Sequence, residues 1–396
     1  MIDIPNPPPA ERVVLAGLFR SGGDAAQAEE DLQEMRMLCV TAGAEVVEVV
    51  IQKRLRPDPA TYLGRGKIEE IRRIMRHREC PTLVVDAELS PGQLRTIEKT
   101  VQGKVIDRSQ LILDIFAHHA RTNEARIQVE LAQLRTLYPR LTHAWSHFSQ
   151  QVGGIGTSGP GEKQLEVDRR LVQRKIADLK SRLRRVERSR RTQRKSRSRV
   201  FKAALVGYTN VGKSSLLNAL SGSKVGVEDK LFATLDTATR RMFIRGVGEL
   251  VVSDTVGLLR KLPHHLVASF RSTLEVVSRA DLLLVVIDAS SPWNRQQLET
   301  VDDVLRELHA ENIPRLRIMN KVDLITDAFQ RKQLQLAFPE AIFVSAHEPE
   351  SLAPLKDAID RGVTGSKKGR AMDDIIARKS RELQRRQEHT ETGWRP

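Results

Sequence analysis

The chain has 396 residues, 65 Lys+Arg against 50 Asp+Glu for a formal net charge of +15, and 40% hydrophobic residues. At roughly 100–200 residues per domain this length predicts two to four domains, each able to bury its own core. Two cysteines, Cys39 and Cys80, exclude a disulfide framework or a cysteine zinc site, no apolar run approaches the ~20 residues of a membrane helix, and the acidic, proline-rich start lacks the pattern of a secretory signal, so a soluble cytoplasmic protein is expected.

Taken in order, the first hundred residues alternate strand-like and helix-like segments. Val13–Leu18 reads as a strand, a helix capped by Asp24 runs to about Val40 with Gly43 after it, and Val46–Ile51 reads as a second strand. After the breaker Arg56-Pro57-Asp58-Pro59, Gly66–Arg78 reads as helix and Thr82–Asp86 as strand; Ser90-Pro91 then supplies an N-cap and a first-turn proline for a helix to Val101. Such alternation predicts a small α/β domain with a parallel sheet over residues 1–105.

From Ser109 the strand signal disappears. Ile127, Leu131, Leu134 and Leu137 recur at helical spacing within Arg121–Tyr138, and Leu165, Val172, Ile176, Leu179, Leu183 and Val186 do so from Gly161 to about Ser198. Two long helices joined by a loop predict an antiparallel hairpin over 106–199, with these stripes as its seam. The loop, residues 150–161, is rich in glycine, which suits either a linker or a small tip that enters RNA. Nearby His143, Trp145, His147 and Phe148 offer stacking surfaces, or burial against the hairpin.

The charge is concentrated in one arm of this hairpin. Residues 1–168 carry 21 basic and 23 acidic side chains, 169–199 carry 15 and 2, 200–365 carry 20 of each, and 366–396 carry 9 and 5. A solvated helix face is the bland reading, but so dense a run repels itself unless a polyanion is near, and it favours phosphate-backbone contact. Without an aromatic residue in 169–199, base stacking is not its role.

From Val200 the α/β pattern returns, with strands expected at Val200–Val206, Glu249–Ser253, Leu282–Asp288, Leu316–Met319 and Ala341–Val344. Directly after the first comes Gly207-Tyr208-Thr209-Asn210-Val211-Gly212-Lys213-Ser214 and then a helix. This is a phosphate-binding P-loop in its strand–loop–helix context. Its backbone N–H groups can curl round a β-phosphate at the helix N-terminus, Lys213 can bridge β- and γ-oxygens, and Ser214 can offer its hydroxyl to Mg²⁺. Asp254-Thr255-Val256-Gly257 follows another strand, placing Asp254 to hold Mg²⁺ and the Gly257 N–H to meet a γ-phosphate. Asn320-Lys321-Val322-Asp323 specifies guanine, because Asp323 can accept from N1–H and the exocyclic amine, which adenine cannot donate. Lys321 can lie over the base or brace the P-loop, and Ser345-Ala346, with His347 beside it, can present a backbone N–H to guanine O6. Four motifs at strand C-termini, where open α/β sheets bind ligands, predict a GTPase domain over 200–365 that binds GTP and GDP with Mg²⁺. Residues 366–396 are left as a basic tail.

The order of these motifs resembles the translation-factor class of P-loop GTPases. Leu231-Phe232-Ala233-Thr234-Leu235-Asp236 is similar to the first switch of the HflX family, as are Thr61-Tyr62-Leu63-Gly64-Arg65-Gly66-Lys67, the glycine loop with Glu162–Glu166, and Asp168-Arg169-Arg170 to that family's other signatures. The resemblance spans roughly residues 10–365. It implies a nucleotide-contacting switch over Phe232–Asp236, with Thr234 a magnesium ligand and, with Lys213 and Gly257, part of the catalytic set. It further implies a ribosome-associated GTPase that binds the large subunit and its rRNA and, in some members, splits stalled ribosomes; a monomer is expected. Asp236-Thr237-Ala238-Thr239-Arg240 lacks the family's usual proline, and Val152 and Lys163 stand where arginine and threonine are more usual.

Where many GTPases carry a water-orienting glutamine after Asp-x-x-Gly, this chain has Leu258 and then Leu259. An apolar residue cannot polarise water, so slow intrinsic hydrolysis is expected, completed by a partner. Residues 224–245 and 258–275 are the segments expected to move with the γ-phosphate. An RNA-remodelling ATPase and an RNA-binding scaffold with minor turnover are the competing readings. Gly64 and Gly66 do not form a P-loop, and a turn before the following helix is their better reading.

Overall fold

The computed structural model describes residues 10–20, 25–143, 160–195, 200–222, 231–232, 238–244, 248–261, 263 and 271–364. By its contacts the chain divides into two units. The first gathers the described residues of Met1–Glu187, Lys230–Phe232 and Lys261–Phe270, and the second those of Arg188–Asp229, Ala233–Arg260 and Arg271–Pro396.

The first unit begins with β1 (Glu11–Arg20), α1 (Ala25–Thr41), β2 (Ala44–Arg54), α2 (Arg65–His77), β3 (Thr82–Val85), α3 (Pro91–Val101) and β4 (Lys104–Asp107). The strands form a wholly parallel sheet in the order β2-β1-β3-β4. A parallel sheet covered by helices needs apolar residues on both faces, and Val13–Ala16 and Thr82–Val85 are buried throughout. At the start of α3, Ser90 and Gln93 close a reciprocal capping box ahead of Pro91. At α2, Gly64 is the N-cap and its N–H donates to Gln52 Oε1 at 2.8 Å. A Cβ there would come within 2.9 Å of the Arg54 guanidinium, so Tyr62–Gly64 is a packed turn leading into α2.

Two elements go beyond the sequence reading. β4 is only four residues long and closes the sheet just past residue 105, and α4 (Arg108–His119) follows it at once. Arg108, only 2% exposed, donates to Asp86 Oδ1 at 2.7 Å and to Glu34. Burial alone would lower the pKa of this guanidinium, but the Glu34 and Asp86 carboxylates outweigh that and raise it.

The helices α5 (Asn123–His143) and α6 (Pro160–Lys195) form the expected antiparallel pair: Tyr138 meets Arg169 while Glu130, farther back, meets Lys175. Ile127, Leu131 and Leu179 are buried in the seam with Leu134, Ile176 and Leu183 packed against them. Leu137, expected in that stripe, is instead 44% exposed. Residues 150–159 of the glycine loop, with Trp145, His147 and Phe148, lie outside the described residues, as does the tail from residue 365, while Pro160 and Gly161 open α6.

The second unit runs β5 (Phe201–Gly207), α7 (Lys213–Ser221), β6 (Thr239–Ile244), β7 (Gly248–Asp254), α8 (Arg271–Ser278), β8 (Leu282–Asp288), α9 (Asn294–Glu307), β9 (Arg315–Asn320), α10 (Ala328–Ala337), β10 (Ile342–Phe343) and α11 (Ala353–Thr364). Its six strands lie in the order β10-β9-β8-β5-β7-β6 and are parallel except for β6, which pairs antiparallel with β7. β6 therefore puts Thr239–Ile244, within the 224–245 segment expected to move, into the sheet as an edge strand. The chain leaves β5 to one side for β7 and later returns on its other side with β8, so β5 ends at a topological switch point.

Candidate nucleotide site

The P-loop stands at that switch point, between β5 and α7. Asn210 and Gly212 take left-handed φ values of 60° and 87°. At Gly212 any side chain would be strained by φ and would also strike the Asn320 amide. Lys213 opens α7, and its Nζ donates to the Tyr208 carbonyl at 2.6 Å and the Gly207 carbonyl at 3.2 Å, fixing the ammonium inside the loop. Burial lowers the Lys213 pKa to about 8, with Asp254 opposing the shift and Lys321 adding to it. Ser214 Oγ donates to Asp254 Oδ2 at 2.6 Å, and Asp254 is 1% exposed at the end of β7. The Thr209 hydroxyl is buried with no hydrogen-bond partner among the described residues.

The remaining predicted residues divide by what they touch. Thr255 faces the core, donating its hydroxyl to the Leu205 carbonyl at 2.7 Å, and Val256 is buried. Gly257 is packed against the P-loop: a Cβ would lie 2.8 Å from Thr209 Cα and 3.2 Å from Lys213 Nζ. Asn320, buried at the end of β9, donates through Nδ2 to the Val211 carbonyl at 2.8 Å and accepts at Oδ1 from the Ala346 N–H at 3.1 Å. Lys321 takes φ 64° and pairs with Asp288 at 2.6 Å, after which a short 3-10 turn, Val322–Leu324, leaves Val322 buried and Asp323 exposed. The amides of Ser345 and His347 donate to Ser351 Oγ and Ser345 Oγ, so these two, like the Ala346 N–H, have protein partners. Phe232 belongs by its contacts to the first unit, 2% exposed with its ring edge-on to Phe116 at 4.8 Å between centroids. Ala233, Thr234, Leu235 and Asp236 lie outside the described residues.

Sequence reasoning did not foresee how the residues after Gly257 are held. Leu258 and Leu259 are each 1% exposed. The Leu258 N–H donates to the Gly207 carbonyl at 3.1 Å, the Thr209 N–H to the Leu258 carbonyl at 2.8 Å, and the Arg260 N–H to the Tyr208 hydroxyl at 3.0 Å. The only advance signal was an aromatic at the second P-loop position.

Three family profiles match successive parts of the chain: a GTP-binding GTPase N-terminal region over residues 29–117, a GTP-binding GTPase middle region over 119–197 and a 50S ribosome-binding GTPase over 202–321. The GTPase HflX of Escherichia coli strain K12 is 44% identical over 339 residues, 85% of this chain and 80% of the relative. The chain belongs to the HflX family of GTPases. The GTPase HflX of Flavobacterium psychrophilum is 45% identical over 313 residues, 79% of this chain and 76% of that relative. Among solved structures, a GTP-binding protein from Sulfolobus solfataricus in complex with GDP is 26% identical, with 89% of this chain and 99% of that one covered and a TM-score of 0.45. As an HflX-family member the chain binds GTP and hydrolyses it to GDP and phosphate. Among its described residues no helix is long and apolar enough to cross a membrane.

Proposed function

We propose that the protein is a GTP-driven switch that engages the large ribosomal subunit through its N-terminal half, works in the cytoplasm as a monomer, and couples its nucleotide cycle to splitting or rescue of stalled ribosomes. The observation that carries the ribosomal part is α6. Its seam residue Leu179 is buried, while Arg169, Arg170, Arg174, Lys180, Arg184 and Arg185 are exposed along the same helix. A rod that shows arginines to solvent along several turns can follow a phosphate backbone without reading its sequence.

At the nucleotide, we assign the P-loop residues 207–214 to the phosphates and Asn320 and Asp323 to guanine. Oxygen ligands with one carboxylate are what Mg²⁺ takes beside phosphates. Ser214 and Asp254, 2.6 Å apart, fit that set, with Thr234 the third proposed ligand. Mg²⁺ held by these residues would supply positive charge to offset what gathers on the phosphate oxygens. Lys213, whose pKa burial depresses, regains its full charge beside an anion and stabilises the same oxygens. The Gly257 N–H is assigned to the γ-phosphate, since Gly257 packs beside Lys213 Nζ. Leu258 cannot orient water, so fast turnover needs a group from the partner, most simply rRNA.

Two measurements test this reading. Sedimentation with isolated ribosomal subunits should show retention on the large subunit with a non-hydrolysable GTP analogue and release with GDP; equal behaviour with both nucleotides refutes the switch. Turnover should rise on adding large subunits, and fast hydrolysis by the protein alone refutes partner completion.

A further inference from the structure

We propose that Tyr208 is a positioning residue for GTP hydrolysis: it latches the segment after Gly257 onto the P-loop and so holds Gly257 beside Lys213. β5 and β7 pair in parallel, with Leu205 opposite Asp254, yet the isolated parallel bridge beyond them sets Tyr208 opposite Leu258. Between these points the chain takes three steps on the P-loop side and four on the other. The extra residue must bulge, and the bulge falls on Thr255–Gly257. Both ends of it are pinned, at Asp254 in the sheet and at Leu258 by its two backbone hydrogen bonds to Gly207 and Thr209.

Gly257 is the residue that the bulge brings against the P-loop, where a Cβ would fall within 2.8 Å of Thr209 Cα and 3.2 Å of Lys213 Nζ. The latch's outer bond differs in kind, because the Arg260 N–H is held by the Tyr208 side chain, 3.0 Å away through its hydroxyl. It can therefore be removed without touching backbone. Tyr208 is 6% exposed, so its ring is already fixed by packing and its hydroxyl can hold Arg260 in one place. Buried Leu258 and Leu259 anchor the segment on its apolar side. Tyrosine thus supplies from the P-loop the order that Gly257 and the segment after it need to meet a γ-phosphate. GDP lacks that phosphate, and its binding does not draw on the latch.

The test compares full-length wild type with Tyr208→Phe, which keeps the ring and removes the hydroxyl. With one hydrogen bond lost, kcat for intrinsic hydrolysis and affinity for a non-hydrolysable GTP analogue should each fall roughly threefold to tenfold. GDP affinity should stay within about twofold, because the P-loop meets phosphates through its backbone N–H groups, which Tyr208→Phe leaves in place. Equal loss for GDP and the analogue, or an unchanged or raised kcat, overturns the proposal. The inference rests on Gly257 facing the γ-phosphate, and Gly257→Ala tests that part separately: a retained preference for the analogue refutes the role of Gly257 while leaving the Tyr208 comparison legible. Should Tyr208→Phe fold poorly, amide exchange in wild type serves instead. The Arg260 N–H should be protected, more so with the GTP analogue than with GDP, and exchange at the unstructured rate in both states overturns the latch.

Discussion

The side chain of Asn320 spans two loops, donating to the Val211 carbonyl at 2.8 Å while accepting from the Ala346 N–H at 3.1 Å. A residue assigned to the guanine base thus also ties the P-loop to the loop after β10, and its 1% exposure leaves water little access to those groups. Asn320→Ala strands a buried acceptor at the Val211 carbonyl, at about 1–3 kcal/mol, and a half-buried donor at the Ala346 N–H, at less. Thermal unfolding of the nucleotide-free protein should show this loss of stability, and calorimetric titration should show weakened binding of GTP and GDP alike. A variant with wild-type stability and lost binding would assign Asn320 to the base alone.

Leu258→Gln should not create a fast enzyme. The side chain is 1% exposed and its backbone is paired to Gly207 and Thr209, so glutamine's amide would be buried away from any attacking water. Burying that polar group should lower stability by about 1–3 kcal/mol. Intrinsic turnover, measured by phosphate release, is expected to stay at or below wild type. A tenfold gain would show that the side chain reaches the phosphates.

Replacing Arg174, Arg184 and Arg185 with glutamine removes three exposed positive charges from α6. Binding to large subunits should weaken, and the slope of log affinity against log salt should flatten by about 0.7–0.9 for each phosphate that is no longer neutralised. Affinity for GTP is the internal control and should not change. An unaltered salt slope would exclude α6 as the phosphate-binding rod.

Cys39 is fully buried, and that burial, with the negative charge of Asp86 adding to it, pushes the thiol up to about 12. An unfolded chain releases this proton near the ordinary thiol value of about 8.5. Because the folded value is the higher one, the contribution is fully present below the unfolded pKa and is lost as pH rises towards 12. The expected slope is about 1.4 kcal/mol per pH unit across that window. Denaturant melts from pH 8 to 11, compared with Cys39→Ala, measure it. At pH 8 the folded protein should resist thiol reagents at both cysteines, since Cys80 is buried as well.

Much of the fold was legible because its signals are local. The N-cap at Ser90 with Pro91 after it, the seam of Ile176, Leu179 and Leu183, and the P-loop after β5 each occupy a short stretch whose spacing carries the information. β4 and β6 were not legible. β4 has four residues, too few for a period, and β6 is an edge strand whose Phe243 is 82% exposed, so its pattern does not alternate towards a core.

At the site the same division holds. By itself the sequence determined that the chain is a GTPase, because its motifs are matters of residue type at fixed spacing; the Ser214 hydroxyl, the Asp254 carboxylate and the Asn320/Asp323 pair are the atoms it proposes for the nucleotide. Only the tertiary structure decided how those atoms are held. The bulge before Leu258, the bond from Arg260 to Tyr208 and the bridge made by Asn320 join residues from 26 to 109 positions apart. No local pattern encodes such pairings: they arise from the order in which the strands assemble around β5, which sets which loops can meet.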